Sequence, residues 1–240
     1  MIYYEYSPNQ LEEKAEGLLQ QFDSDRLIQS KPIDVYAVIE KCLDVPYDWK
    51  YLTPDQTYLG MTAFRDGYIW VWPESRYYEG LKPKKLQVSK GMILIDATLT
   101  EEDNRGRENF TVMHEVFHQV LHKKCFRRIS STSNIYLHGT KKQTIDGQIH
   151  HSDYGLSVTE RQANACAAAF LMPRDLTKET YSSICRNAGS RRYNSDFVQE
   201  TISEMAEEFQ VSKQAMTIRL QTLKLINKDK ESCFHEAINI

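Results

Sequence analysis

Two histidines and a glutamate in the middle of the 240-residue chain have a spacing that suits metal chemistry: His114, Glu115 and His118. On an α-helix, residues four apart lie on one face, one turn above the other, so His114 and His118 can hold one metal ion together. Glu115 lies beside them, where a carboxylate can take a proton from a water molecule. The pattern is therefore typical of a zinc peptidase, with both histidines as ligands and Glu115 as the catalytic base.

The residues around this motif predict that it lies on a helix with one buried face, because apolar side chains recur there in pairs four residues apart. The alternative is that the histidines are ordinary surface or core residues whose spacing arose by chance, and the amphipathic context argues against it. The apolar pairs are Val112 and Met113, Val116 and Phe117, and Val120 and Leu121.

A catalytic zinc site needs a third protein ligand and leaves one position open for water. One class of sites uses a histidine six residues after the second one, with a glycine between; here Lys124 and Leu121 stand at those positions, which excludes that class. The other common solution is a glutamate on a second helix, and Glu160 is the best candidate. Asn164 lies one turn further along the same face, where it could hydrogen-bond the free ring nitrogen of a ligating histidine.

The stretch around Glu160 predicts a helix that ends near Pro173, with an alanine-rich face that can pack closely on another helix. Two interpretations of Glu160 are open on these residues alone. Ser157 could cap the helix with Glu160 as its capping-box partner, or Thr159 could cap it with Gln162 and leave Glu160 free to bind a metal.

Two stretches of the chain resemble, in the same order, the signatures of the ImmA/IrrE family of metallo-endopeptidases. The first is Arg107-x-x-Phe110-Thr111-x-x-His114-Glu115-x-x-His118-x-x-Leu121-His122. The second is Glu160-x-x-Ala163-Asn164-x-x-Ala167-x-x-x-Leu171-Met172-Pro173. The chain departs from the family at Phe117, where glycine is usual, and at Cys166, where phenylalanine is common. A spacing of about forty residues between the second histidine and the glutamate leaves the shape of the substrate cleft open.

This resemblance implies a cytoplasmic, zinc-dependent peptidase of the gluzincin type whose usual substrate is a DNA-binding repressor. It implies one zinc ion held by His114, His118 and Glu160, and it implies Glu115 as the catalytic base.

Composition excludes some other classes of function. The formal net charge is −3, so no overall positive charge suggests binding to nucleic acid or to a membrane surface. No apolar run approaches the roughly 20 residues of a membrane span, and the N-terminus lacks the pattern of a signal peptide. Five scattered cysteines without a Cys-x-x-Cys pair favour a reduced, cytoplasmic environment.

The first half of the chain predicts helices followed by a small sheet. Residues 9–22 have helical periodicity, and Pro32 suits the first turn of a second helix. Residues 45–71 are rich in aromatic and β-branched side chains, with a hairpin signal at 65–67, and residues 92–95 predict a short buried strand. We therefore expect an α+β fold: a zincin-like core with helices around a small, mostly antiparallel sheet, then a helical C-terminal region. An edge strand of such a sheet often holds the substrate by strand addition, and the sequence leaves open whether 92–95 is that strand.

Residues 123–156 are the least regular part of the sequence and are rich in lysine and arginine. They predict a polar surface loop, or alternatively a lid over the cleft that supplies a hydrogen bond to the developing oxyanion. The candidates for that donor are Tyr154, His150 and His151, and the sequence does not rank them.

Apolar spacing predicts two short helices near the C-terminus, the second of them capped by Ser212, in an arrangement that resembles a helix-turn-helix. Positive and negative side chains balance in this part of the chain, which favours a structural or protein-binding role over direct nucleic-acid binding. The predicted organisation is a metallopeptidase domain over 1–175, a helix-turn-helix-like region over 190–228 and a tail over 229–240.

Together these patterns predict a zinc-dependent endopeptidase of the cytoplasm that cleaves a specific DNA-binding repressor, with no membrane partner. One alternative is a non-catalytic sensor or binding module on the same fold, against which the intact Glu115 argues. The other is a DNA-binding regulator acting through residues 197–224, against which the balanced charge argues.

Overall fold

The computed structural model describes residues 4–74, 80–101, 105–126, 137–141, 154–189 and 195–227. Helix α1 (Pro8–Asp23) confirms the first predicted helix, and a 3₁₀ turn (Ser24–Leu27) follows it. Ser7 and Gln10 form a capping box at its start, in which each side chain accepts a hydrogen bond from the other residue's backbone N–H. Its buried residues are Leu11, Ala15, Leu18 and Leu19.

The second helix begins later than Pro32, whose predicted place in its first turn is wrong. Helix α2 (Val35–Val38) begins after Asp34 and continues as a π-helical turn (Ile39–Leu43). The Asp34 carboxylate accepts hydrogen bonds from two backbone N–H groups of the first turn, so this side chain determines where the helix starts.

Within the described ranges, six strands form two small sheets. They are β1 (Tyr47–Lys50), β2 (Tyr58–Ala63), β3 (Gly67–Val71), β4 (Lys84–Val88), β5 (Ile93–Asp96) and β6 (Leu137–Lys141). The larger sheet has the order β1-β5-β2-β6, in which only the β1–β5 pair is parallel, and β3 pairs antiparallel with β4. The predicted α+β class with a small, mostly antiparallel sheet is confirmed.

Three expectations about this sheet are corrected or decided by the strand order. The hairpin predicted at residues 65–67 is wrong, because β2 is hydrogen-bonded on both sides by β5 and β6, and β3 pairs with β4 in the other sheet. The strand predicted at 92–95 is confirmed as β5, but it lies inside the sheet and is no edge strand. The irregular loop predicted over 123–156 is wrong at 123–126 and 154–156, which are helical, and at 137–141, where pairing with β2 forms β6. The rest of that stretch lies outside the described residues.

Two helices carry most residues of the chemical motifs, α4 (Arg105–Phe117) and α6 (Tyr154–Leu171), and the short α3 (Thr98–Glu101) precedes α4. A π-helical turn (His118–His122) and the short α5 (Lys123–Phe126) continue α4. Because α6 begins at Tyr154, both Ser157 and Thr159 lie inside the helix, and both predicted capping boxes are wrong. Glu160 is thus a side chain of the helix body.

The C-terminal part is helical. Helices α8 (Ser195–Glu208) and α9 (Lys213–Thr222) are the two predicted ones, whereas the sequence did not predict α7 (Arg174–Ala188), which precedes them. Ser212 caps α9, as predicted, by accepting a hydrogen bond from the backbone N–H of Ala215 at 3.1 Å. Gln210, in the turn between α8 and α9, has a φ of 53°. Its backbone carbonyl accepts a hydrogen bond from the side-chain amide of Asn109 in α4 at 3.1 Å, which ties this turn to the motif helix.

One hydrophobic core joins the helices to one face of the larger sheet. Its buried side chains come from α1, α4, α6, α7, α8 and α9 and from β5. A smaller cluster joins β3 and β4 to the opposite face of β5 through Leu94. The motif helix α4 therefore lies at the centre of the packing.

The predicted division into 1–175, 190–228 and 229–240 stays a prediction. Across the described ranges, none of the helices combines the length and the apolar character needed to cross a membrane.

Candidate metal centre

His114, His118 and Glu160 converge on one point between α4 and α6. The two histidine Nε2 atoms are 2.8 Å apart, and the Glu160 carboxylate oxygens lie 3.1 Å from the His114 Nε2 and 3.4 Å from the His118 Nε2. Both imidazoles are fully buried, whereas the Glu160 side chain is 29% exposed, so the cluster is accessible from one side.

These distances suit a small cation that prefers nitrogen and oxygen ligands. Zinc is bound by imidazole nitrogens and carboxylate oxygens at about 2.0–2.2 Å, and ligands at tetrahedral angles are then about 3.3–3.6 Å apart. The two histidine–glutamate separations, 3.1 and 3.4 Å, lie close to that spacing, and the two Nε2 atoms, 2.8 Å apart, are closer together. The three side chains are therefore a group that could hold one metal ion.

Close packing of α4 on α6 brings the ligands together. Phe117 and Phe170 contact each other edge to face, with ring centroids 6.0 Å apart. On α6, the fully buried Ala163 and Ala167 have side chains small enough to allow the helices to approach each other. The π-helical turn starts at His118, and such turns are frequent at functional sites.

Asn164 lies where the sequence predicts it, at the far side of His114 from the cluster. Its Oδ1 is 2.8 Å from the His114 Nδ1. Burial lowers the pKa of His114, but the hydrogen bond with Glu160 and the charge of Glu115 outweigh that effect and raise the pKa above its usual value. The negative charge around this imidazole therefore favours a positive charge at its Nε2, and a bound metal ion would take the place of a proton there.

Glu115 lies beneath strand β2. Its side chain is fully buried, and the Thr62 hydroxyl donates a hydrogen bond to its Oε2 at 2.7 Å. A Cβ atom on Gly60 would lie 2.8 Å from the Glu115 Oε1, so only glycine lets the strand approach this closely. Sequence reasoning missed both strand residues. Gly60 carried a signal, because a glycine inside a strand often marks a close backbone approach.

The other residues that sequence reasoning missed are His122, which contacts His118, and Gln162, which contacts His122. The His118 Nδ1 is 3.0 Å from the His122 Nδ1, and the His122 Nε2 is 3.0 Å from the Gln162 Oε1. His122 belongs to the first signature and Gln162 to the predicted second helix, but sequence spacing alone does not show that they meet.

A family model for peptidase M78, described as the IrrE N-terminal-like domain, matches residues 75–221, which is more than half of the chain. The chain belongs to the peptidase M78 (ImmA/IrrE) family. The resemblance seen in the sequence is thereby confirmed. No curated protein matches the chain.

Membership in the M78 family and the His-His-Glu cluster together support a metallopeptidase, and a peptidase family implies a protein substrate. The matched residues include both α4 and α6, so the family match and the geometry rest on the same two helices. Which residue stabilises an oxyanion stays a prediction. Tyr154 begins α6, but its side chain is outside the described part, and His150 and His151 lie outside the described residues.

Proposed function

We propose that the chain is a zinc-dependent endopeptidase of the cytoplasm that cleaves a specific DNA-binding repressor, of helix-turn-helix type, and so relieves repression. The observation that carries the proposal is the convergence of His114, His118 and Glu160 next to a buried Glu115, in a member of a peptidase family. The repressor as substrate is supported by the family resemblance, and the cytoplasm by five scattered cysteines.

In this proposal each residue has a separate task. A zinc ion held by the two histidines and Glu160 would supply Lewis acidity to the attacking water and to the scissile carbonyl. Glu115 takes a proton from the water and passes it to the leaving amine. Thr62 donates to one carboxylate oxygen of Glu115 and so fixes the direction in which the base points. Burial of the carboxylate keeps bulk water from competing for it.

Strand β6 is where we expect the peptide to bind. Within the described strands, β1 and β6 form the edges of the larger sheet, and β6 lies next to β2, the strand that covers Glu115. An extended peptide can add to such an edge through backbone hydrogen bonds, which hold a substrate independently of its side chains. Selection of one target then depends on other surfaces.

A cavity of about 690 Å³ along α6 is our candidate for that selection. Two of its lining residues lie close to the cluster: Asn164 contacts His114, and Gln162 contacts His122. The lining also includes the apolar side chains Leu11, Phe110, Val158 and Ala168. Its apolar lining suits a bulky apolar side chain of the substrate. Ala165 also lines this cavity, so Ala165→Trp should fill it and raise KM for the repressor with unchanged zinc content. An unchanged KM would remove this cavity from the substrate path.

Co-expression with small helix-turn-helix repressors from the same genome tests the proposal. We expect one discrete repressor fragment with the wild type and none with Glu115→Gln, because the amide cannot accept a proton from water. The variant should keep its zinc. Degradation of casein-like proteins without preference would refute the specific target but leave the peptidase in place.

The two alternatives lead to different outcomes of the same experiment. A non-catalytic binding module would hold the repressor intact with wild type and variant alike. A DNA-binding regulator would need several exposed basic side chains on α9, but Lys213 alone is exposed there, since Arg219 is buried and paired with the Glu12 carboxylate at 2.8 Å. Retained zinc together with an intact repressor would therefore favour the binding module.

A further inference from the structure

We propose that His122 and Gln162 are positioning residues that fix the ring tautomer of His118, so that its Nε2 lone pair faces the metal. The inference rests on the proposed function, since it assigns a task toward the metal that His118 is proposed to bind. It follows from a chain of four hydrogen-bonding groups in which each step determines the direction of the next: the Tyr4 carbonyl, the Gln162 amide, His122 and His118.

The chain starts at a group that can only accept. The backbone carbonyl of Tyr4 lies 2.7 Å from the Gln162 Nε2, so the Gln162 amide must donate there. This contact fixes which end of the amide is oxygen, and the Oε1 is left pointing at the His122 Nε2, 3.0 Å away. An amide oxygen only accepts, so the His122 Nε2 must carry a hydrogen.

The position of that hydrogen determines the tautomers of both imidazole rings. A neutral imidazole has one N–H group, so a His122 protonated at Nε2 presents a bare Nδ1. The His118 Nδ1, 3.0 Å away, must then donate to it. The remaining nitrogen of His118, its Nε2, is left with a lone pair directed at Glu160 and His114.

At His114 a single residue has this positioning role. The Asn164 Oδ1, 2.8 Å away, accepts a hydrogen bond from the His114 Nδ1. Both histidines therefore present lone pairs at Nε2 atoms that are 2.8 Å apart, next to a carboxylate. Three acceptors around one point repel one another unless a cation lies between them. The hydrogen-bond chain thus builds the electron-donor set that a metal needs.

Water cannot replace the hydrogen-bonding groups behind His118, because these groups are buried. His122 is 2% exposed and Gln162 is 6% exposed, so water cannot easily take the place of either acceptor. Partners of this kind behind a ligating histidine usually change metal affinity about 10- to 100-fold when they are removed.

A matched pair of variants tests the step from His122 to His118. In His122→Leu the side chain at 122 offers no acceptor, and we expect zinc to bind about 10- to 100-fold more weakly in competition with a chromogenic chelator. In His122→Asn the Oδ1 takes the place of the Nδ1 and still accepts, so affinity should return close to that of the wild type. A merely structural role would not give this rescue, because asparagine fills the volume no better than leucine does.

Nitrogen-15 NMR of the zinc-loaded wild type gives a second readout that needs no variant to fold. We expect a neutral His122 with its hydrogen on Nε2. A hydrogen on Nδ1, or a folded His122→Leu that binds zinc as tightly as the wild type, would overturn the inference and leave the metal site standing. A wild type that binds no zinc would overturn the proposed function and this inference together.

Discussion

Replacing Gly60 with alanine tests how closely β2 covers the proposed base. The added Cβ would lie 2.8 Å from the Glu115 Oε1, 2.9 Å from its Cγ and 2.9 Å from the Thr111 Cγ2. Ordinary contacts between such atoms are about 3.5–4.0 Å, so three overlaps arise at once. Glu115 is fully buried and bonded to Thr62, and it cannot move without losing that hydrogen bond. Overpacking of this kind costs about 1–3 kcal/mol of unfolding free energy.

The matched control is the same substitution at Gly17, an exposed position within α1 where an added Cβ meets nothing within 4 Å. Gly17→Ala should stabilise the protein by about 0.5–1 kcal/mol, because alanine is the better helix residue. Urea unfolding gives both free energies. We also expect Gly60→Ala to keep its zinc but to cleave about 100-fold more slowly, as displaced catalytic groups commonly do.

The reasoning fails if Gly60→Ala unfolds at the same urea concentration as the wild type and cleaves at the same rate. In that event β2 does not press on Glu115, and the strand has no part in aiming the base. An equal loss of stability in Gly17→Ala would show that the cost is unrelated to the approach of β2.

Three further predictions follow from side chains in the described part of the chain. Thr62→Val should reduce the rate of cleavage with zinc retained, whereas Thr62→Ser keeps the hydroxyl and should cleave nearly as fast as the wild type does. Equal cleavage rates in Thr62→Val and the wild type would show that Thr62 has no effect on the base. Arg219→Met should lower the unfolding free energy in urea by about 1.5–3 kcal/mol, because the Glu12 carboxylate loses its hydrogen bonds to Arg219 and, among the described side chains, keeps only Arg174, 3.7 Å away. Burial raises the pKa of the Cys166 thiol to about 12, so iodoacetamide should not modify it in the folded protein, as peptide mass spectrometry can check.

The sequence predicts well what depends on neighbours along the chain. His114 and His118 lie one helical turn apart, so their common face follows from spacing alone. Asn164 lies one turn beyond Glu160, and in the structure its Oδ1 is 2.8 Å from His114. The helix periodicity that surrounds these residues is equally local, which is why α4 and α6 could be expected.

What the sequence does not predict depends on contacts between distant segments. The hairpin at residues 65–67 has the right turn residues, but β2 finds its partners in β5 and β6 instead. Thr62 approaches Glu115 only through the packing of a sheet on a helix, which no spacing rule contains. The caps at Ser157 and Thr159 fit a known pattern, yet the helix starts earlier, at Tyr154, and places them inside it.

Metal analysis of four purified proteins tests the central claim most directly. The wild type should contain close to one equivalent of zinc, and His118→Ala and Glu160→Ala should each lose it. Glu108→Ala is the control, because that carboxylate lies on α4 but accepts a hydrogen bond from the Tyr36 hydroxyl at 2.6 Å, away from the cluster; it should keep its zinc. Full zinc occupancy in both His118→Ala and Glu160→Ala would contradict the claim that these side chains bind the metal.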